Sequence, residues 1–179
     1  MKKSLIALAA FVSMAVQAGN FVQVEQEHVI GRAGGANSEV TYLRAGKDLG
    51  DYSLGLQSRT ARFSTNSIAN SLEATVSNKK VSAFGITPFV GVGHDFGATT
   101  NGYNYGLVGA TAGKQIGPGF AYVGAKTRVR ASTTDPKQTV GFAGYSVPVS
   151  KDMAVNVGLS RSGQDIKERG ASIGLTVGF

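Results

Sequence analysis

The C-terminal stretch Gly170-Ala171-Ser172-Ile173-Gly174-Leu175-Thr176-Val177-Gly178-Phe179 alternates without a break. Ala171, Ile173, Leu175, Val177 and Phe179 share one face, and Gly170, Ser172, Gly174, Thr176 and Gly178 share the other. A period of two is that of a β-strand, whose successive side chains point to opposite sides. One face is wholly apolar and the other is small and weakly polar. In a soluble sandwich the apolar face would be covered by a second sheet. In a barrel set in a bilayer it meets lipid, and the small face meets the lumen.

The same alternation recurs upstream. Met153, Val155, Val157 and Leu159 oppose Ala154, Asn156, Gly158 and Ser160. Ala121, Val123, Ala125, Thr127 and Val129 oppose Tyr122, Gly124, Lys126, Arg128 and Arg130. Tyr52, Leu54 and Leu56 oppose Ser53, Gly55, Gln57 and Arg59, and Leu72, Ala74 and Val76 oppose Glu73, Thr75 and Ser77. Phe84, Ile86, Pro88, Val90 and Val92 oppose Gly85, Thr87, Phe89, Gly91 and Gly93. Segment 103–114 carries Tyr103, Tyr105 and Leu107 on one face, and segments 20–28, 39–47 and 137–148 complete the set.

The expectation is therefore an all-β chain, a single antiparallel transmembrane barrel of ten strands. Each strand has about ten residues, the length that crosses a bilayer at a tilt. Short connections fall at Asp48-Leu49-Gly50, Asn78-Lys79-Lys80, Ile116-Gly117-Pro118-Gly119 and Ser150-Lys151-Asp152. The links 29–38, 64–67, 95–102, 131–136 and 162–169 alternate with them, as outer loops alternate with periplasmic turns. An even strand count puts both termini on the periplasmic side. An eight-stranded alternative would give up 39–47 and 68–77, and would leave a long structureless stretch that counts against it.

The N-terminus reads as a removable leader. Lys2 and Lys3 form a positive head, Leu5 to Val16 a short apolar run, and Val16-Gln17-Ala18 a small-residue cleavage pattern. The run is short of the ~17 residues that a transmembrane helix needs. The expected organisation is a signal peptide over 1–18 and an outer-membrane barrel over 19–179. Without the two lysines the formal charge falls from +7 to +5. The basic residues are scattered rather than clustered on one face, which speaks against a nucleic-acid partner. Absence of Cys excludes disulfides and thiolate metal sites. Gly makes up 25 of 179 residues, about twice the usual share, and small side chains suit a crowded barrel interior.

The leader and the final strand ending in Phe179 together resemble the small Gram-negative outer-membrane barrels, such as the OmpA-like transmembrane domain and its relatives. The resemblance covers the mature chain by pattern. It implies outer-membrane lipid as the surroundings and the barrel-assembly machinery as a partner during biogenesis, with Phe179 as the terminal aromatic that this machinery reads. Two features depart from it. Ten strands exceed the OmpA-like count, and the outer loops are short for an adhesin.

Among candidate functional residues, Lys126, Arg128 and Arg130 form a basic ladder on one strand face. Facing lipid, a midplane Arg or Lys costs roughly 2–4 kcal/mol, so the ladder belongs in the lumen. Glu25, Glu27, Arg44, Arg59 and Glu73 fall on inward faces as well. These five basic and three acidic residues sum to +2. One reading is an anion-preferring pore lining. The other, slightly favoured, is a paired polar core in a lumen filled by side chains, with Glu25 and Glu27 neutralising the ladder.

His28 and His94 are the only histidines, and His94-Asp95 falls at an expected outer strand end. A hydrolase could use such a pair as base and orienter, but no nucleophile accompanies it, and ordinary rim polarity is the stronger reading. Two histidines without a third ligand make a poor metal site. Gly31, Gly34 and Gly35 precede no helix and so form no phosphate loop. Tyr52, Phe120, Tyr145 and Phe179 at one end, with Phe63, Phe96, Tyr103 and Tyr105 at the other, read as interfacial aromatic belts. The expected function is a small pore or structural membrane protein, not an enzyme, with no cofactor and no metal. The alternatives are a surface interaction protein acting through loop 29–38 and, behind it, a rim hydrolase acting on lipid or peptide.

Overall fold

The computed structural model describes residues 20–31, 36–81, 85–97, 102–130, 138–163 and 168–179. The expected leader, Gly34 and Gly35 lie outside these residues. Ten strands follow one another: β1 (Asn20–Ile30), β2 (Ser38–Leu49), β3 (Tyr52–Phe63), β4 (Ile68–Asn78), β5 (Ile86–Gly97), β6 (Tyr103–Ile116), β7 (Gly119–Arg130), β8 (Gln138–Pro148), β9 (Met153–Gly163) and β10 (Glu168–Gly178). Each pairs antiparallel with its sequence neighbour, and β10 returns to pair with β1, closing the sheet. Closure removes both sheet edges, so every strand has two hydrogen-bonding neighbours. The segments that an eight-stranded barrel would lose are β2 and β4.

The end that carries Asn20 and Phe179 has the tightest turns. Gly50 (φ 76°) and Gly117 (φ 56°) take left-handed conformations there, which glycine adopts without a Cβ penalty. Asp48 Oδ1 accepts the Gly50 N–H at 2.9 Å and stabilises its turn. After β4 comes a short 3-10 turn at Lys79–Val81, and β5 runs from Ile86; Phe84, expected on that strand, lies outside the described residues. At the opposite rim β3 ends at Phe63, as the 64–67 link implies, whereas β5 outruns its expected end and reaches Gly97, so Asp95 and Phe96 are strand residues rather than loop.

Register keeps one parity outward around the whole ring. Leu43, Leu54, Leu56, Leu72, Val90, Val92, Val108, Val123, Val157, Leu159 and Ile173 are all exposed. An apolar band of this extent is not a soluble protein's surface; it matches the lipid-facing band of a membrane barrel. The opposite parity is polar and buried: Gln23, Glu25, Glu27, Ser71, Glu73, Ser146, Asn156 and Thr176. A small apolar layer of Val29, Val40 and Ala61, flanked by Tyr42 and Phe63, fills the interior on the β1–β3 side.

Much of the glycine excess has a packing cause. Inward aromatic rings lie across inward glycines of the neighbouring strand: Phe21 over Gly46, Phe89 over Gly109, Tyr105 over Gly93, Phe120 over Gly113, Tyr122 over Gly144 and Phe142 over Gly124. A Cβ at any of these glycines would collide with the ring. Large and small residues thus alternate around the wall, each ring lying over a neighbour that has no side chain. This pattern corrects the expected aromatic belts. Phe63, Tyr103, Tyr105 and Phe120 have inward parity, and Tyr105 is only 3% exposed. Height along the strand suggested a belt, but parity decides the face. Tyr52, Phe96 and Phe179 remain outward and exposed.

Candidate functional site

All eight sequence-singled charges point into the lumen. Their register partners share that face: Glu25 with Tyr42, Glu27 with Val40, Arg44 with Gln57, Arg59 with Tyr42, Glu73 with Gln57, and Lys126, Arg128 and Arg130 with Gly109, Leu107 and Tyr105. The structure gathers several of them around one carboxylate, Glu73, which is 2% exposed.

Glu73 stands midway along β4. The next strand, β5, offers only Gly93 and Gly91 beside it and Thr75, so its wall is low there. Over this low wall Tyr105 of β6 donates its hydroxyl to Glu73 Oε1 at 3.0 Å. From β7, farther round the ring, Lys126 Nζ pairs with Glu73 Oε2, and Arg128 Nε donates to Oε1 at 2.7 Å. Gln57 of β3 adds a bond to Oε2 at 3.0 Å. One carboxylate therefore holds four donors from β3, β6 and β7. The β4–β7 bonds skip two strands and must cross the interior.

The network continues in both directions. Arg44 Nε donates to Gln57 Oε1 at 2.8 Å, and Arg44 Nη1 reaches Glu25 Oε2 at 2.5 Å. Gln23 closes on the same Glu25 oxygen at 2.8 Å. At the other end, Arg128 Nη1 donates to Gln138 Oε1 of β8 at 2.8 Å. Glu27 forms a second centre, accepting from Tyr42 Oη at 2.7 Å and from Ser160 of β9. Guanidinium groups also stack on rings, Arg44 over Tyr42 at 4.6 Å, Arg128 over Tyr105 at 5.4 Å and Arg130 over Tyr103 at 3.5 Å. Among the described residues no buried side-chain nitrogen or oxygen lacks a partner, as a stable polar interior requires.

Two points of the sequence reading change. The ladder's carboxylate is Glu73, not Glu25 or Glu27. The interior charge is also not +2. Asp95 and Glu168 share the inward parity, in register with Tyr103 and Ser162. Counting them with the eight, five acidic residues face five basic ones, and Asp48, of the same parity at the turn end of β2, is paired with Lys79. Both acids fall where the sequence suggested loops, so parity could not be read for them.

The histidines turn outward. His28 Nδ1 lies 2.5 Å from Glu39, its cross-strand neighbour on the exposed face. His94 Nδ1 lies 2.7 Å from Asn104 Oδ1, while Asp95 points inward, accepting from Tyr103 Oη at 3.4 Å. Adjacent strand residues face opposite sides, so His94 and Asp95 cannot act on one substrate as base and orienter. Among the described residues no group of three His, Asp or Glu side chains could hold a metal. Phe179 follows β10 with its ring exposed, and its N–H donates to Asn20 O at 3.1 Å.

No family model matches the sequence, and no curated relative matches it. The fold is similar to the translocator domain of the autotransporter NalP from Neisseria meningitidis. That similarity covers 91% of this chain and 89% of that one, at 14% identity and a TM-score of 0.52. A loop-deletion form of OmpT, an outer membrane protein of Vibrio cholerae, aligns over 89% of this chain and 59% of its own, at 13% identity and a TM-score of 0.41. The closed ten-stranded antiparallel sheet, its apolar outer wall and the first of these likenesses give the chain the fold of an outer-membrane β-barrel.

Proposed function

We propose that this chain is a structural protein of the Gram-negative outer membrane whose lumen is closed by its own side chains. The observation that carries this reading is Glu73, bonded across the interior to Lys126 and Arg128 and along the wall to Tyr105 and Gln57. A conducting pore needs a hydrated path with unspent charge along it. Here the ladder's two lower charges are tied to a carboxylate on the facing wall, and inward acids and bases balance. The anion-pore reading loses its net positive lining. We assign no enzymatic activity, a reading supported by the opposite facing of His94 and Asp95.

Asn20 and Phe179 share one end of the barrel, which in this reading is periplasmic, and the rim that carries Ile30 and Arg130 is extracellular. In this reading the leader over 1–18 directs export and is removed before assembly. Phe179, exposed at the end of an apolar outward row, suits recognition during insertion. Phe179→Ser is expected to lower the amount of folded, heat-modifiable barrel in the outer membrane while leader cleavage continues. Wild-type levels of folded barrel in that variant would remove Phe179 from the assembly role.

The functional reading is tested by swelling of liposomes that contain the refolded protein. In isotonic solutions of small sugars or amino acids, swelling should match that of empty liposomes. Rapid, size-limited swelling would show an open passage and reverse the proposal.

A further inference from the structure

The outward face near the loop-bearing rim carries a feature that the interior network does not use. Arg161 of β9 and Arg169 of β10 are direct cross-strand neighbours, and both are exposed. Their parity is that of Leu159 and Ile173, so they point away from the lumen. Opposed residues on neighbouring strands hold their Cβ atoms about 4.5–5.5 Å apart, and like charges placed so repel. Among the described residues neither arginine has a carboxylate partner, and β8, β9 and β10 carry no outward acid at all. Elsewhere on this rim charge is matched: His28 meets Glu39, and Arg62 stands opposite Glu39 in register.

The surface around the pair is apolar and uneven. Leu159, next below Arg161, is 66% exposed, Ile173, two outward places below Arg169, is 61% exposed, and Ile30 beside Arg169 is 56% exposed. On the other side Arg161 adjoins Gly141, where an added Cβ would meet nothing within 4 Å. Ala143 continues that low strip beside Leu159. Two guanidinium groups therefore stand above a shallow, greasy trough, at a depth where charged side chains cost little.

We propose that Arg161 and Arg169 bind the phosphate head group of an anionic outer-leaflet lipid, whose acyl chain lies along Gly141, Ala143, Leu159 and Ile173. Guanidinium recognises phosphate oxygens in paired hydrogen bonds, and a phosphomonoester offers enough oxygens and charge for both. The phosphate relieves the repulsion between the arginines, and the trough distinguishes a lipid from free phosphate. This inference rests on the outer-membrane reading above and adds a partner to it.

The test is native mass spectrometry of the protein refolded in nonionic micelles, with phosphatidic acid or phosphatidylcholine as the added probe. Phosphatidic acid should give adducts that phosphatidylcholine does not. Arg161→Gln/Arg169→Gln should weaken them on the order of tenfold or more, from the loss of charge-assisted bonds. Arg62→Gln, which removes one arginine charge elsewhere on the same rim, should leave them intact, whereas either Arg161→Gln or Arg169→Gln alone should already weaken them. Arg161→Lys/Arg169→Lys keeps the charge and should retain part of the binding, and it serves if the Gln variant does not fold. Inorganic phosphate should neither form stable adducts nor displace the lipid; if it does both, the site takes free phosphate and the lipid assignment falls. A folded, heat-modifiable barrel that takes up both lipids equally overturns this inference alone. A chain that never gains that folded form overturns the membrane reading and this inference with it.

Discussion

Glu73→Ala should cost the barrel about 3–5 kcal/mol, the loss expected when one partner of a buried charge pair is removed. The size follows from what the substitution leaves behind. Lys126 and Arg128, whose side chains are 14% and 12% exposed, would keep their charges with no carboxylate opposite. Tyr105 and Gln57 would each lose an acceptor. In the closed-lumen reading, water does not easily replace Glu73, which is 2% exposed. The measurement is urea-dependent unfolding in lipid vesicles. A second variant separates the cost of unpaired charge from that of lost volume. Glu73→Ala combined with Lys126→Met and Arg128→Met should recover much of the stability, since a buried ion cluster can be exchanged for apolar groups at little net cost. A loss below ~1 kcal/mol in Glu73→Ala, the value of a solvent-exposed pair, would mean that water already reaches the cluster.

Val157→Arg should destabilise by roughly 2–4 kcal/mol, the penalty for a charged side chain on the lipid face near the midplane. Val157 lies in the middle third of β9, 48% exposed, between Tyr145 and Ile173 in register. Its neighbour Asn156 is inward and buried, donating to Thr176 Oγ1 at 3.0 Å. The same strand already tolerates an outward arginine at Arg161, close to its rim. The contrast between these two heights is what a bilayer imposes and an aqueous surface does not. Refolding in vesicles reads the cost. A neutral Val157→Arg would mean that the wall does not face hydrocarbon.

The strands were legible because lipid outside and packed polar groups inside force a period of two, and turn residues punctuate it. Ala171 to Phe179 and Met153 to Leu159 show this in residues alone. The facing of every candidate charge followed from parity once a strand was recognised. Strand ends were less legible: the alternation weakens past Arg59 and Gly93, where polar residues occupy both faces near the rim. Asp95 was assigned to a loop for that reason, and Glu168 likewise at the start of β10. The partner of the basic ladder was not legible at all. Glu73 and Lys126 are 53 residues apart in sequence, and their meeting depends on closure, strand tilt and two glycines on β5. Gly91 and Gly93 were visible as small inward residues, but only the assembled ring shows which side chains pass over them. The aromatic residues carried a usable signal that height obscured. An inward Phe or Tyr directly opposite a Gly, as in Phe89–Gly109 and Phe142–Gly124, marks interior packing rather than a belt.

The claim that the side-chain network closes the lumen is tested most directly by planar-bilayer recording in a salt gradient. Wild-type protein should insert without steady conductance. Glu73→Ala/Lys126→Ala/Arg128→Ala, which deletes the side chains that bridge β4 and β7, should give stepwise openings. Steady anion-selective channels in the wild type, with selectivity that reverses in Lys126→Glu/Arg128→Glu, would contradict the account and make the ladder a pore lining.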